Sequence, residues 1–539
     1  MKSSTRERRY PVKHRVQHHW VFHILFTLCF LVFVAIGLHV YRDYGVSIDE
    51  YSQIELGRVN YERVVSGSEA LKTNEDRYYG PVFETVLYGL SHAVQKPLHI
   101  DEMSSRHLIE FLYFAASLVV FYLFLWKITG HPGYGLLGSV LLAISPRMFA
   151  ESFYNSKDMV FLSTSIFALY SMSFVADLSF PAVIIHAVVS GFAIAVRPQG
   201  MLLVVVSVVG IFLISKKTIL QKILWSSAYI VLTVVSTIAF FPVFWDGIPQ
   251  NIAGFLHRSL DPIGVPTYYF GKFYTSPGVP WHHLVVWIGI TSLLSVTVTS
   301  SIGLVWFLYR AYKEKQHRAK ASGMFTLLFL IIIGTIGGAI IFRARTYDGW
   351  RHIYYLYPSI IGFSVYSVKR CMDLAKKNSR IWSIITVCIL GLFVLDGVSA
   401  VRFMIRHHPN EYVYFNQLTG GYVQAKRNFD FDYWGISYKQ ILSYLLSLPR
   451  RPTKVYFVES FPYVQFGMAP ALRTHGFTVV DSLTEADVVV VVNRYDKTIP
   501  SAGFTKLYAV DVEGADLSAV YATRAYRALL NDSPKMQYP

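Results

Sequence analysis

Long apolar stretches alternate with short polar islands through about the first 400 residues, and the apolar stretches have the length of a helical membrane span. A hydrocarbon core of roughly 30 Å takes about 20 mostly apolar residues per helix. Windows at 20–40, 108–126, 134–145, 159–175, 181–196, 201–214, 223–243, 284–308, 324–342, 353–368 and 381–401 meet that pattern, those near 134 and 181 being short. They predict about eleven transmembrane helices. After residue 402 the pattern changes: 454–458, 477–480 and 487–492 read as strands and 463–474 as a helix. The expected fold is therefore a polytopic α-helical membrane module over 1–402 followed by a small soluble α/β domain over 403–539.

Cytoplasmic loops carry the excess of Lys and Arg. Basic residues crowd the N-terminal segment (Arg6, Arg8, Arg9, Lys13, Arg15), the turn at Lys216, Lys217 and Lys222, and the loops at 310–320 and 369–380. With the windows above, all four fall on one side. The N-terminus is then cytoplasmic, and 41–107, 244–283, 343–352 and everything after 402 are extracytoplasmic. The expected location is a bacterial inner (plasma) membrane. The first window is too long for a signal-peptide core and reads as a retained helix.

Composition agrees with a lipid solvent: 53% of residues are hydrophobic and 16% charged, and the mean hydropathy is +0.38. The net charge of +16 sits largely on the cytoplasmic rim, where anionic headgroups are its partner, and so does not predict nucleic-acid binding. Of the three cysteines, Cys29 and Cys388 fall in predicted spans and Cys371 in a cytoplasmic loop, which excludes a disulfide framework. P-loop, GxSxG and HExxH signatures are absent, and His282-His283 lacks metal-ligand spacing.

Three polar islands on the outer side carry the candidate chemistry. The first is Asp49-Glu50, just beyond the first helix, in a segment (41–107) expected to hold one or two helices along the membrane surface. The pair is either a general base facing a cavity or a solvated helix N-terminus capped by Ser47. The second holds Arg147, Glu151, Tyr154, Asn155, Lys157 and Asp158, with Asp158 either capping the next helix or facing the same cavity as Asp49. The third runs through Arg343, Arg345, Tyr347, Asp348, Trp350, Arg351 and His352. Arginines in a short outer loop oppose the charge rule, so they either bind an anionic phosphate or pair with the acidic outer loop. Arg197-Pro198 marks a weaker fourth turn, and the loop at 244–283, rich in Pro, Gly and aromatics, is a candidate lid.

The motifs SIDE (47–50), NSKDMVFL (155–162), RPQG (197–200) and DGWRHIYYLYP (348–358), in that order and on one side, resemble the GT-C membrane glycosyltransferases. The nearest likeness is to polyprenyl- or dolichyl-phosphate-mannose protein mannosyltransferases and lipid A aminoarabinose transferases. The resemblance implies transfer of a sugar from a polyprenyl-phosphate donor to a hydroxyl of a lipid, glycan or protein acceptor, with inversion. It places the catalytic base at Asp49, with Glu50 beside it and Asp158 as a second acidic residue of the site. Lys157, Arg343, Arg345, Arg351 and His352 are then expected against the donor phosphate. Some relatives use a divalent cation and others do not, so no metal is assigned. The competing class is a transporter or flippase for a lipid-linked or anionic substrate, against which stands the position of the islands at one face and not at the bilayer midplane.

Overall fold

The computed structural model describes residues 19–175, 178–260, 265–275, 278–313, 320–344, 346–377, 380–448, 453–458, 463–495 and 503–531. Every apolar window of the sequence contains a helix. Seven helices are long and apolar enough to cross a membrane: His19–Val40, Glu102–Thr129, Asp158–Val175, Ile219–Ala239, Leu294–Lys313, Gly323–Ile341 and Arg380–His407. Three more apolar helices are shorter, Pro132–Ala143, Phe180–Val196 and Gly200–Ile214. The chain is thus a multi-pass helical membrane protein with a small sheet region near its C-terminus.

Two windows depart from a simple span. The stretch expected at 284–308 is two helices, His283–Thr291 and Leu294–Lys313. The break holds because protein groups satisfy the freed backbone, as non-helical chain near a membrane requires. Asn416 Nδ2 donates to the carbonyls of Gly289 and Ser292 at 2.7 and 2.8 Å, and Asp396 Oδ2 accepts from the Ser295 N–H at 2.7 Å. The window at 353–368 begins as a 3₁₀ turn, Arg351–Leu356, and becomes α-helical at Tyr357–Ala375, with Pro358 in the first turn where its missing N–H costs nothing. This helix is buried from Tyr357 through Val368, which makes it the centre of the bundle. It also carries Cys371, which lies in a helix and not in the expected loop.

The polar segments gather at one end of the helices. Glu50–Ser66 packs on Val82–Leu98. Segment 244–283 folds into a helix, Ile248–Leu260, and a hairpin of Thr267–Tyr269 with Lys272–Tyr274. The hairpin is pinned from the C-terminal side, because the Tyr495 hydroxyl donates to the Pro266 carbonyl at 3.2 Å and Asp430 Oδ1 accepts the Tyr268 N–H at 3.2 Å.

The helix Arg380–His407 runs past residue 402, and the segment behind it lies directly on the bundle: Arg147 Nε donates to the Tyr414 carbonyl at 3.0 Å, and the Tyr44 hydroxyl to Glu411 at 3.2 Å. Beyond it a five-stranded sheet has the order Phe477–Val480, Thr453–Phe457, Val488–Val492, Ala515–Thr523, Phe504–Val512. The first three strands are parallel and the last two pair antiparallel. All five valines of Val488–Val492 are buried, as an inner strand covered on both faces requires. The alternation predicted its three parallel strands; the closing hairpin at 504–523 was not read from the sequence.

Candidate active site

The three polar islands converge on one guanidinium. Arg351, at the start of the 3₁₀ turn, donates through Nη1 to Asp49 Oδ2 at 3.1 Å and to Asp158 Oδ2 at 3.3 Å. Its Nη2 and Nε meet Asp348 Oδ2 at 2.9 and 3.2 Å. Its flat face lies 4.6 Å from the Trp434 ring centroid. Burial opposes the charge on Arg351, but Asp49, Asp348 and Asp158 outweigh it and hold the group above its ordinary pKa. Arg197 closes the ring with an ion pair to Asp158 Oδ1 and a 3.0 Å bond to the Tyr79 hydroxyl. Arg494, from the sheet region, binds Asp348 Oδ1. Three carboxylates and three guanidiniums therefore balance in one cluster.

The three carboxylates are not equivalent. The side chains of Asp158 and Asp348 are 1% and 5% exposed, while that of Asp49 is 38% exposed. Asp49 stands at the N-cap of Glu50–Ser66 yet makes no capping bond with its side chain. Only its Oδ2 is engaged, so Oδ1 faces outward without a partner among the described residues. Ser47, the candidate cap, donates its hydroxyl to the Tyr154 carbonyl at 3.3 Å. Glu50 instead ties the preceding turn to the bundle: its Oε2 accepts the Ser47 N–H at 2.6 Å while Oε1 meets His107 Nε2 at 2.9 Å. Glu50 is 1% exposed and turned into the protein, away from Asp49's open side.

Asp158 opens its helix, but the residue that caps it is Asn155, whose Oδ1 accepts the Asp158 N–H at 2.9 Å. The same Asn155 donates to Glu151 Oε2 at 2.8 Å, and Tyr354 donates to Glu151 Oε1 at 2.7 Å. The second island is thus a buried polar platform under the cluster.

The expected phosphate ligands are placed in several ways. Lys157 Nζ points to the carbonyls of Tyr79 and Gly80, with Glu84 at 3.8 Å, and burial pulls its pKa down to about 8 against the pull of Glu84. Arg343 is exposed and lines a cavity of about 160 Å³ with Trp281 and His283, making none of the contacts of the Arg351 cluster. Arg345 lies outside the described residues. His352 packs edge-on against Tyr347 at 4.6 Å, and desolvation, with Arg351 and Arg197 nearby, keeps its pKa well below the ordinary value. No group of three His, Cys, Asp or Glu among the described residues is placed to share a metal ion.

Sequence reasoning passed over Tyr79 and Arg494, and gave Asp348 and Arg197 no role. Arg197 had a usable signal, a cation beside a proline in an outer turn. Arg494 had none, since only the fold carries the sheet region to Asp348.

What the fold and site define is a class: a multi-pass membrane protein with a buried carboxylate–arginine centre at one end of its helices and one carboxylate left open. Residues 99–241, which include Lys157, Asp158 and Arg197, match the family model of the dolichyl-phosphate-mannose-protein mannosyltransferases. This agrees with the likeness to GT-C glycosyltransferases drawn from the motifs. No curated protein matches the chain in sequence. Among solved structures, ArnT from Cupriavidus metallidurans in the apo state is 14% identical over 94% of this chain and 99% of its own, with a TM-score of 0.45. Its form bound to undecaprenyl phosphate is 13% identical over 96% and 99%, TM-score 0.45. The apo oligosaccharyltransferase of Archaeoglobus fulgidus is 11% identical over 88% and 65%, TM-score 0.44.

Proposed function

We propose that this protein is a membrane glycosyltransferase that moves a sugar from a polyprenyl-phosphate donor to an acceptor hydroxyl, with Asp49 as general base. The observation that carries the reading is the inequality of the carboxylates on Arg351: Asp158 and Asp348 are sealed, and Asp49 keeps a free oxygen on an open face. A base must reach the proton it removes, and Asp49 is the member of the cluster that can.

In the proposed step the acceptor O–H gives its proton to Asp49 while its oxygen bonds to the anomeric carbon. The bond from that carbon to the phosphate oxygen breaks, the phosphate leaves with the electron pair, and the carbon inverts. Arg351 couples the two ends. As Asp49 takes up the proton its hold on Nη1 weakens, and the guanidinium turns toward the charge appearing on the phosphate. A preorganised cation there is worth about 3–4 kcal/mol. Arg197 and Asp158 fix the guanidinium from behind. Arg343 and His352 belong to the rim on the donor's approach, and Lys157 anchors the turn at Tyr79-Gly80 that carries Tyr79 to Arg197. Residues 1–402 form the catalytic module and 403–539 its extracytoplasmic buttress, with the 244–283 hairpin as lid.

The test is donor turnover by the purified protein in lipid nanodiscs, using polyprenyl-phosphate mannose and polyprenyl-phosphate aminoarabinose with a hydroxyl acceptor. Release of free polyprenyl phosphate in step with sugar on the acceptor supports the proposal. Movement of the intact donor across vesicle membranes without its cleavage would establish the flippase reading instead.

A further inference from the structure

A second amphipathic site lies apart from the Asp49 centre and shares none of its residues. A groove of about 720 Å³ runs between the helices Pro132–Ala143 and Arg380–His407, lined by Leu137, Leu141, Ile144, Phe393, Val398 and Val401 among others, and it ends at Arg402 and Arg406. The same two arginines line a neighbouring pocket of about 570 Å³, whose other walls include Asn416, Gln417, Tyr422 and Glu513. The two cavities therefore meet at a pair of guanidiniums, with hydrocarbon walls on one side and hydrogen-bonding walls on the other. Buried Arg147, stacked 4.9 Å from the Phe415 ring, with its Nε on the Tyr414 carbonyl, backs the polar pocket and lies between it and the Glu151 platform.

Arg402 and Arg406 lie one helical turn apart at the end of a membrane-spanning helix, on the same edge of the bundle as the carboxylate–arginine centre. Neither makes a hydrogen bond or ion pair among the described residues. Two free arginines at the junction of an apolar groove and a polar pocket complement an anionic headgroup with a hydrocarbon tail. The carboxylate of Glu513, 3.7 Å from His407 Nε2, and the exposed amide of Gln417 sit beyond the arginines, where a second phosphate would be repelled and hydroxyls would be bound.

We propose that this is a binding site for a membrane lipid whose single phosphate bears a hydroxyl-rich headgroup. The tail lies along Ile144, Phe393 and Val398, the phosphate bridges Arg402 and Arg406, and the head group's hydroxyls meet Glu513 and Gln417. The site is separate from the Asp49 centre and does not depend on the glycosyltransferase reading.

Native mass spectrometry of the full chain released from nanodiscs tests it, with phosphatidylglycerol and phosphatidylcholine offered in equal amounts. The parent protein is expected to retain phosphatidylglycerol preferentially, and the Arg402→Ala/Arg406→Ala double variant to lose that preference by about 30-fold, the combined worth of two interfacial arginines. Val398→Trp, which fills the groove from a lipid-facing position, is expected to lose both lipids while both arginines remain. Melting temperatures of the variants within a few degrees of the parent show that they are folded; should the double variant unfold, Val398→Trp and Glu513→Ala, which removes the headgroup acceptor alone, carry the test. Equal retention of both lipids by the parent, or unchanged phosphatidylglycerol binding in the folded variants, overturns the proposal.

Discussion

Neighbouring acids in one tetrapeptide have been given opposite surroundings. Asp49 is open and half-engaged; Glu50 is sealed between the Ser47 N–H and His107. Glu50→Gln keeps the shape but weakens two charge-assisted bonds, each worth about 1.5–3 kcal/mol, so thermal stability should fall while sugar transfer falls less than in an Asp49 variant. Differential scanning of the purified proteins beside a transfer assay separates the two; a Glu50→Gln protein with unchanged melting and abolished transfer would make Glu50 the base. Arg351 is the opposite case, one cation holding three acids. Removing one partner of a buried ion pair costs about 3–5 kcal/mol because the others are left uncompensated. Arg351→Ala should therefore lose stability as well as donor binding, and Arg351→Lys should rescue the first more than the second, since an ammonium cannot fork across Asp49 and Asp348 together. An Arg351→Lys protein with full turnover would show that the fork is dispensable. The sequence named both Asp49 and Arg351, because a carboxylate pair at a membrane edge and a cation against the charge rule are visible in a string of letters. It left open whether Arg351 binds phosphate or pairs with acids; the geometry has it paired in the resting protein.

At the level of elements, the site is assembled by helix ends and a turn. Asp49 precedes Glu50–Ser66, Asp158 begins Asp158–Val175, Arg197 follows Phe180–Val196 and Arg351 opens a 3₁₀ turn. Hydrophobic length located the helices Asp158–Val175 and Phe180–Val196, since it reads lipid contact directly. It could not see the break at Ser292-Leu293, because that backbone is satisfied by Asn416 and Asp396 from distant parts of the chain. A second junction is titratable. His408 follows the last long helix and lies between Asp43 at 3.0 Å and Glu411 at 2.6 Å. Burial alone would lower its pKa, but Glu411 and Asp43 together raise it above 6.5. A raised histidine gives stability that is fully present below its unfolded value near 6.5 and lost as pH rises through the folded value. The parent should accordingly gain thermal stability, relative to His408→Gln, as pH falls from about 8 to about 6. Parallel melting curves for the two proteins across that range would remove the clamp.

For the whole molecule, the segments at 41–107, 244–283, 343–352 and beyond 402 pack against one another, as Arg351 on Asp49, Arg494 on Asp348 and Tyr495 on Pro266 attest. Their common side follows from the charge rule, and an alkaline phosphatase fused after the sheet region should be active; an inactive phosphatase with a fluorescent cytoplasmic reporter at the same junction would invert the topology. The helical bundle and the parallel strands were legible because periodicity is local. Arg494 was not, being brought to Asp348 across 146 residues by the sheet's position alone. The central claim is that the open carboxylate of this assembly takes the acceptor's proton. Asp49→Asn preserves volume and removes basicity, and the measurement is single-turnover sugar transfer by the purified variant beside its affinity for the polyprenyl-phosphate donor. Transfer should fall by at least about 10²- to 10⁴-fold with insertion and donor binding retained, whereas transfer near the parent rate would contradict the account.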